Sequence, residues 1–189
     1  MTAEETKQAI QGKWASITPE VRPSISKNAD GSAKPFYLKR AFEYFSGDKF
    51  ELEVINFADA YGKVPLVKIL IKGHMIWKGD HPIADGAYKV DFIADVAYEV
   101  TPLTQGFADA MNQVAAKGFN NWEVNAAQSI LGKAFAPFGL TEGQIFAECD
   151  LVYLFKDMLF WGARNVDGRG FDKEENRPTN LQIPLVRQK

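Results

Sequence analysis

Val64–Trp77, VPLVKILIKGHMIW, decides the architecture of this 189-residue chain. Val67, Ile69, Ile71, Gly73, Met75 and Trp77 fall on one face of an extended segment. Lys68, Lys72 and His74 lie on the other, a period of two with one wet side. A strand this apolar on one side needs a sheet to lie in and an interior to cover. Neighbours that repeat the alternation make an antiparallel barrel the economical arrangement, its interior either a core or a ligand cavity.

The flanking segments do repeat it. Phe36–Phe45 puts Leu38, Arg40, Phe42 and Tyr44 on one face, Gly47-Asp48 signals a tight hairpin, and Lys49–Phe57 sets Phe50, Leu52 and Val54 against Glu51 and Glu53. After the turn-rich Lys78–Gly86, the residues Tyr88, Val90, Phe92, Ala94, Val96, Tyr98 and Val100 alternate with Lys89, Asp91, Asp95 and Glu99. Upstream, Thr2 and Glu5 have capping-box spacing for a short helix, Lys13–Thr18 turns extended, and Pro19–Pro35, with three prolines, reads as a long loop.

The rhythm changes at Thr101-Pro102, read as an N-cap and first helical residue, after which Leu103, Phe107, Met111 and Val114 recur at helical spacing as far as Gly118. Trp122, Ala126 and Ile130 suggest a second helix over Trp122–Lys133. Ile145–Phe155 and Met158–Gly162 return to strand composition, and Leu181, Ile183 and Leu185 are placed to close the sheet. The expected fold is mainly β with a helical insertion (α+β). One domain, 1–189, forms an antiparallel β-barrel of about eight strands, with two helices after the fifth strand over about 101–138.

Composition narrows function by exclusion. The 22 Lys and Arg nearly balance 24 Asp and Glu, so no basic field exists to hold nucleic acid. The lone Cys149 excludes an internal disulfide and a cysteine-built zinc site. No run approaches the roughly 18 apolar residues of a membrane span, and the N-terminus has no leader-like apolar core. The expectation is a soluble, cytoplasmic protein with no membrane span, no metal and no cofactor, and nothing names a protein partner.

Gly12-Lys13-Trp14, at the start of the first strand, looks like the Gly-x-Trp signature of the lipocalins and wider calycins, in which the Trp closes the bottom of the barrel. More specific are Trp14-x-Ser16, Glu20-Val21-Arg22-Pro23, Tyr37-Leu38-Lys39-Arg40 and Pro65-x-x-x-Ile69-x-Ile71-Lys72-Gly73. In that order and spacing they resemble the domain of the adenomatosis polyposis coli down-regulated 1 family. The similarity runs from about Gly12 to Val100 and again from Leu151 through Leu185. It implies a lipocalin-like antiparallel barrel with an apolar pocket for an acyl chain or similar ligand, and no catalytic residues. The chain departs from that family in having Pro19 where a disulfide cysteine would stand, one barrel's length, and neither leader nor anchor, so the family's Wnt antagonism is not carried over.

Among single residues Arg40 is the most informative. It shares a face with Leu38, Phe42 and Tyr44, so a buried guanidinium must pair with Glu20, with an Asp or with an acidic ligand, or else stack on Trp14 to close the barrel base. Arg22, in the proline-rich loop, is a second candidate for a ligand's polar end. His74 faces outward with the lysines unless a bulge at Gly73 turns it in, and His81 sits in a turn where Asp80 is the expected backbone cap. Asp91 and Asp95 fall on a polar face, and Cys149 at a strand end reads as a small buried thiol.

The positive signal is aromatic. Trp14, Phe42, Tyr44, Trp77, Tyr88, Phe92 and Tyr98, with Arg22 and Arg40, form the candidate ligand-binding set for a hydrophobic small molecule, fatty-acyl, lipid-like or polyketide-like. The alternative is a cofactor-independent cyclase or isomerase in the same cavity, with Arg40, Glu20 or Tyr44 stabilising charge. That use calls for an inward carboxylate or imidazole of perturbed pKa, whereas a carrier needs only shape.

Overall fold

The computed structural model describes residues 1–189. Helix α1 (Ala3–Ala9), opened by a Thr2–Glu5 capping box, leads into strands β1 (Gly12–Ser16), β2 (Glu20–Lys27), β3 (Ala33–Phe45), β4 (Lys49–Phe57), β5 (Pro65–Asp80) and β6 (Ala87–Pro102). Helix α2 (Gln105–Val114) follows, then β7 (Gln128–Ser129), β8 (Ala147–Phe155), β9 (Met158–Trp161) and β10 (Leu185–Arg187). All ten strands belong to one antiparallel sheet, nine in the order β1-β10-β9-β8-β6-β5-β4-β3-β2 and β7 off this path against β6. Because β1 also pairs with β3, Trp14 opposite Phe42, the sheet curves into a ring. No helix is long and apolar enough to cross a membrane.

The alternation of β5 is the one the sequence implied. Val67, Ile69, Ile71, Gly73 and Met75 are buried, Lys68, Lys72 and His74 lie on the wetter face, and Trp77 is half-buried. On β3, Leu38, Arg40, Phe42 and Tyr44 are buried, and Gly47 and Asp48 both take positive φ in the turn to β4. The β5–β6 register slips at Gly73, since Lys72 faces Ala97 while His74 faces Ile93. The extra residues belong to β6. They leave Val96 exposed, against its expected inward place, and return Tyr98 and Val100 to the interior. His74 stays outside, its Nδ1 2.9 Å from Asp95 Oδ2.

Three expectations are corrected. Pro19–Pro35 is largely a hairpin rather than a loop. Pro23 and Pro35 sit opposite one another where the β2–β3 register becomes irregular, and Asp30 accepts from the Ser32 backbone N–H (2.9 Å) in the turn. Thr101 and Pro102 still belong to β6; the cap is Thr104, whose Oγ1 accepts from Phe107 N–H at 3.3 Å. Trp122–Lys133 forms no second helix. The Asn112 side chain accepts from Trp122 N–H (2.7 Å) and donates to its carbonyl (3.0 Å), while Trp122 Nε1 donates to Ala115 O (2.8 Å). Burying that indole outweighs a weak helical period, and one helix remains where two were expected.

The ring is uneven. β8 pairs only with Ala87–Ile93 of β6, and the upper half of β6 meets just the two residues of β7. There the segment leading to β8 covers the ring, with Ala94 donating to Phe146 O and Ile130 to Tyr98 O.

A Cβ on Gly73 would lie 1.7 Å from Ile93 O, whereas one on Gly106 in α2 meets nothing within 4 Å. Gly73→Ala is expected to lower unfolding stability by about 3 kcal/mol and Gly106→Ala to raise it by up to about 1 kcal/mol, measured by urea denaturation. Equal effects would place the bulge elsewhere.

Candidate functional site

Two arginines share one buried carboxylate inside the ring. Glu20 begins β2 opposite Leu38 of β3, next to Arg40 on the same inward face. Its Oε1 accepts from Arg40 Nε (2.8 Å) and Ser16 Oγ (2.8 Å), and its Oε2 from Arg22 Nη2 (2.9 Å) and Nε (3.2 Å). Ser16 Oγ also accepts the Arg40 backbone N–H at 2.9 Å, so the cluster ties the end of β1 and the start of β2 to the middle of β3. Burial pushes the Glu20 carboxyl up, but the Arg40 and Arg22 charges outweigh it and hold the group at about 2. Burial, and then the Arg40 charge, push the Arg22 guanidinium down. One carboxylate against two guanidinium groups leaves a cation in excess, and Arg40 Nη2 is a buried donor with no acceptor within the chain. The other orphan, Asn56 Oδ1 on β4, has no charge to express.

An aromatic wall abuts this cluster. The Arg40 guanidinium lies 5.2 Å from the Trp161 ring centre, and Trp161 contacts Phe92 (3.9 Å) and Phe42 (4.3 Å). Tyr44 OH accepts from Trp161 Nε1 at 2.8 Å. A notch of about 10 Å³, room for one water, is lined by Trp161, Phe50, Leu52, Ile71, Phe92 and Glu148, with Ala94 and Phe146. Glu148 is only partly buried, so the notch is reached from outside. Burial raises the Glu148 carboxyl against the opposing charges of Arg22, Arg164 and Arg40. Two residues on, Asp150 is pushed to about 7, by burial first and then by Glu148, although its Oδ1 accepts from Leu151 N–H (2.7 Å) and Gly162 N–H (2.9 Å).

The sequence-derived candidates separate. Arg22, Arg40, Phe42, Tyr44 and Phe92 come together with Glu20. Trp14 lies at the base, where Arg187 stacks on its ring at 4.2 Å; that place was considered for Arg40. Trp77 and Tyr88 lie under the N-terminus, the former donating to Asp48 (3.1 Å) and the latter to Met1 O (2.7 Å). Tyr98 packs on Phe146 and Phe138 under the covering segment. Among residues considered for catalysis, Glu20 is locked between its arginines and Tyr44 OH is pushed up by burial. Sequence reasoning missed Glu148, Asp150, Trp161 and Arg187. The period of two in β8 was the available signal, because Glu148 and Asp150 share a face with buried Val152.

Elsewhere polar groups satisfy one another. Asp91, Cys149 and Glu174 converge, but Arg177 Nη2 already binds Asp91 (2.6 Å) and Glu174 (2.5 Å) and occupies a cation's role. Cys149 is partly buried and its thiol is raised by burial. His81, rather than Asp80, caps its turn, its Nδ1 accepting from Ile83 N–H at 3.2 Å. A groove of about 250 Å³ between α1 and the β3–β4 turn has a polar rim in which Lys7 bridges Glu4 and Asp48. No protein-family model matches the chain, and no curated protein matches it.

Glu20→Ala strands two buried guanidinium groups and is expected to cost about 3–5 kcal/mol in urea unfolding. The pH dependence has two limbs. Glu20, depressed in the fold, stabilises fully above its ordinary value of 4.5, and that contribution is lost as pH falls toward about 2. Asp150 is raised, so its contribution is complete below its ordinary 3.8 and is lost as pH rises through about 7. Asp150→Asn keeps an oxygen for both N–H groups and should flatten the decline between pH 4 and 7; an unchanged decline would contradict this placement.

Proposed function

We propose that the ring is a lipocalin-like barrel related to the domain of the adenomatosis polyposis coli down-regulated 1 family, and that it binds a hydrophobic small molecule whose polar end meets Arg40 and Arg22. The observation that carries this reading is Arg40 Nη2, a buried donor without an acceptor beside an aromatic wall. Leaving a charged donor unmet is costly, and an acceptor on a guest relieves it. A fatty-acyl, lipid-like or polyketide-like guest is far larger than 10 Å³, so it enters as wall side chains turn aside. Phe146 is the wall residue that belongs to no strand, and it is half-buried. The single unpaired Cys149 suits a reducing compartment, and the cytoplasm is the proposed location.

A second reading is favoured by Glu148, an inward carboxyl raised by burial, as a cofactor-independent cyclase or isomerase would need. Glu148 takes the acid–base role in that reading, since Glu20 is fully engaged and Asp150 is held by backbone. Turnover of the bound molecule on incubation separates the two.

Native mass spectrometry of protein purified from its own host is expected to release a stoichiometric lipophilic molecule. Phe146→Ala should increase uptake of a fluorescent fatty-acid probe at least several-fold. An empty protein whose Phe146→Ala variant still takes up no probe would mean that the interior is only a core.

A further inference from the structure

No hydrogen bond to the Glu148 carboxyl offsets its partial burial; only the charges of Arg22 on β2, Arg40 on β3 and Arg164 after β9 favour its ionised form. The remaining notch walls, on β4, β5, β6 and β9, bring no charge, and the other titratable neighbours are Tyr98 on β6 and Asp150 on β8 itself. Arg22 and Arg40 together exceed the single charge of Glu20. Where it is ionised, Glu148 is the counter-charge available to the surplus cation, held there against burial. An incoming carboxylate can take that role. Two anions in one low-dielectric notch repel, and the repulsion is removed when one of them accepts a proton.

Resting on the binding reading above, we propose that the ligand is a carboxylic acid with an apolar tail and that it binds as the anion together with one proton, which Glu148 takes from solvent. The carboxylate accepts from the free Arg40 N–H, and the neutral Glu148 donates its O–H to the same head group. The tail lies along Trp161, Phe92 and Phe50. No bond other than that to the proton forms or breaks. Linkage sets the sign: affinity for the acid falls by about tenfold per pH unit above the titration of free Glu148, whereas a neutral tail of the same length shows no such fall.

Titration calorimetry of the full chain with octanoate, in buffers of different ionisation enthalpy, counts the protons directly, with octan-1-ol as the neutral probe. About one proton taken up per octanoate at pH values above the titration of free Glu148, and none per octan-1-ol at any pH, is the expected result. Glu148→Gln should bind octanoate without uptake, and Asp150→Asn should keep it, which assigns the proton to the right carboxyl. Octanoate bound with no uptake, uptake lost in Asp150→Asn instead, or octan-1-ol bound and octanoate refused would each overturn the proposal while leaving the cavity reading in place. Failure of both probes, with Phe146→Ala also inert, would overturn both. The wild-type proton count needs no variant to fold.

Discussion

The Glu20 carboxylate, held by Arg40 on one oxygen and Arg22 on the other, is the constraint on which the interior depends. It lies where β1, β2 and β3 converge, so the pairing that bends the sheet into a ring passes through it. Buried ion pairs seldom out-stabilise well-packed apolar side chains, because desolvation offsets most of the Coulomb gain. Here the balance is lopsided as well, with two cations, one firmly ionised acid and a guanidinium N–H left over. That surplus is what the polar end of the proposed guest would meet.

The rest of the interior is organised to tolerate this charge. Trp161 stacks against Phe92 and Phe42, presents its ring near the Arg40 guanidinium and spends its own N–H on Tyr44. Arg40 Nη2, behind the Trp161 face that lines the notch, is left without a partner in the chain, and Glu148 stands on the notch wall. The notch also sits beside the weak sector of the ring. β8 leaves the upper half of β6 to a two-residue strand and a covering segment, so the wall at Phe146 is not fixed by sheet hydrogen bonding on both sides.

Much of this was legible in the sequence, and what was not has physical causes. The faces of β3 and β5 follow from period two alone, because a slip by one residue would expose every apolar side chain. That Arg40 needs a partner followed from placing a guanidinium on an apolar face, with Glu20 one of several partners left open and stacking on Trp14 the other reading. Val96 escaped because a bulge restores parity after itself and leaves no trace in the pattern. Pro19–Pro35 was misread because prolines tolerated at an irregular strand pairing look like loop residues. The helix expected at Trp122–Lys133 gave way to one buried indole clipped by Asn112, a tertiary contact that no local period encodes. Glu148 and Asp150 were missed because acids in an apolar strand read as its wet face, and here that face turns inward.

The unmet Arg40 donor is proposed as a ligand contact. That role is tested most directly by an experimental electron-density map of the protein isolated from its own host, inspected around Arg40 Nη2. An oxygen of an elongated organic molecule is expected within hydrogen-bond distance, with its tail along Trp161 and Phe92. A single ordered water against a closed aromatic wall would contradict it.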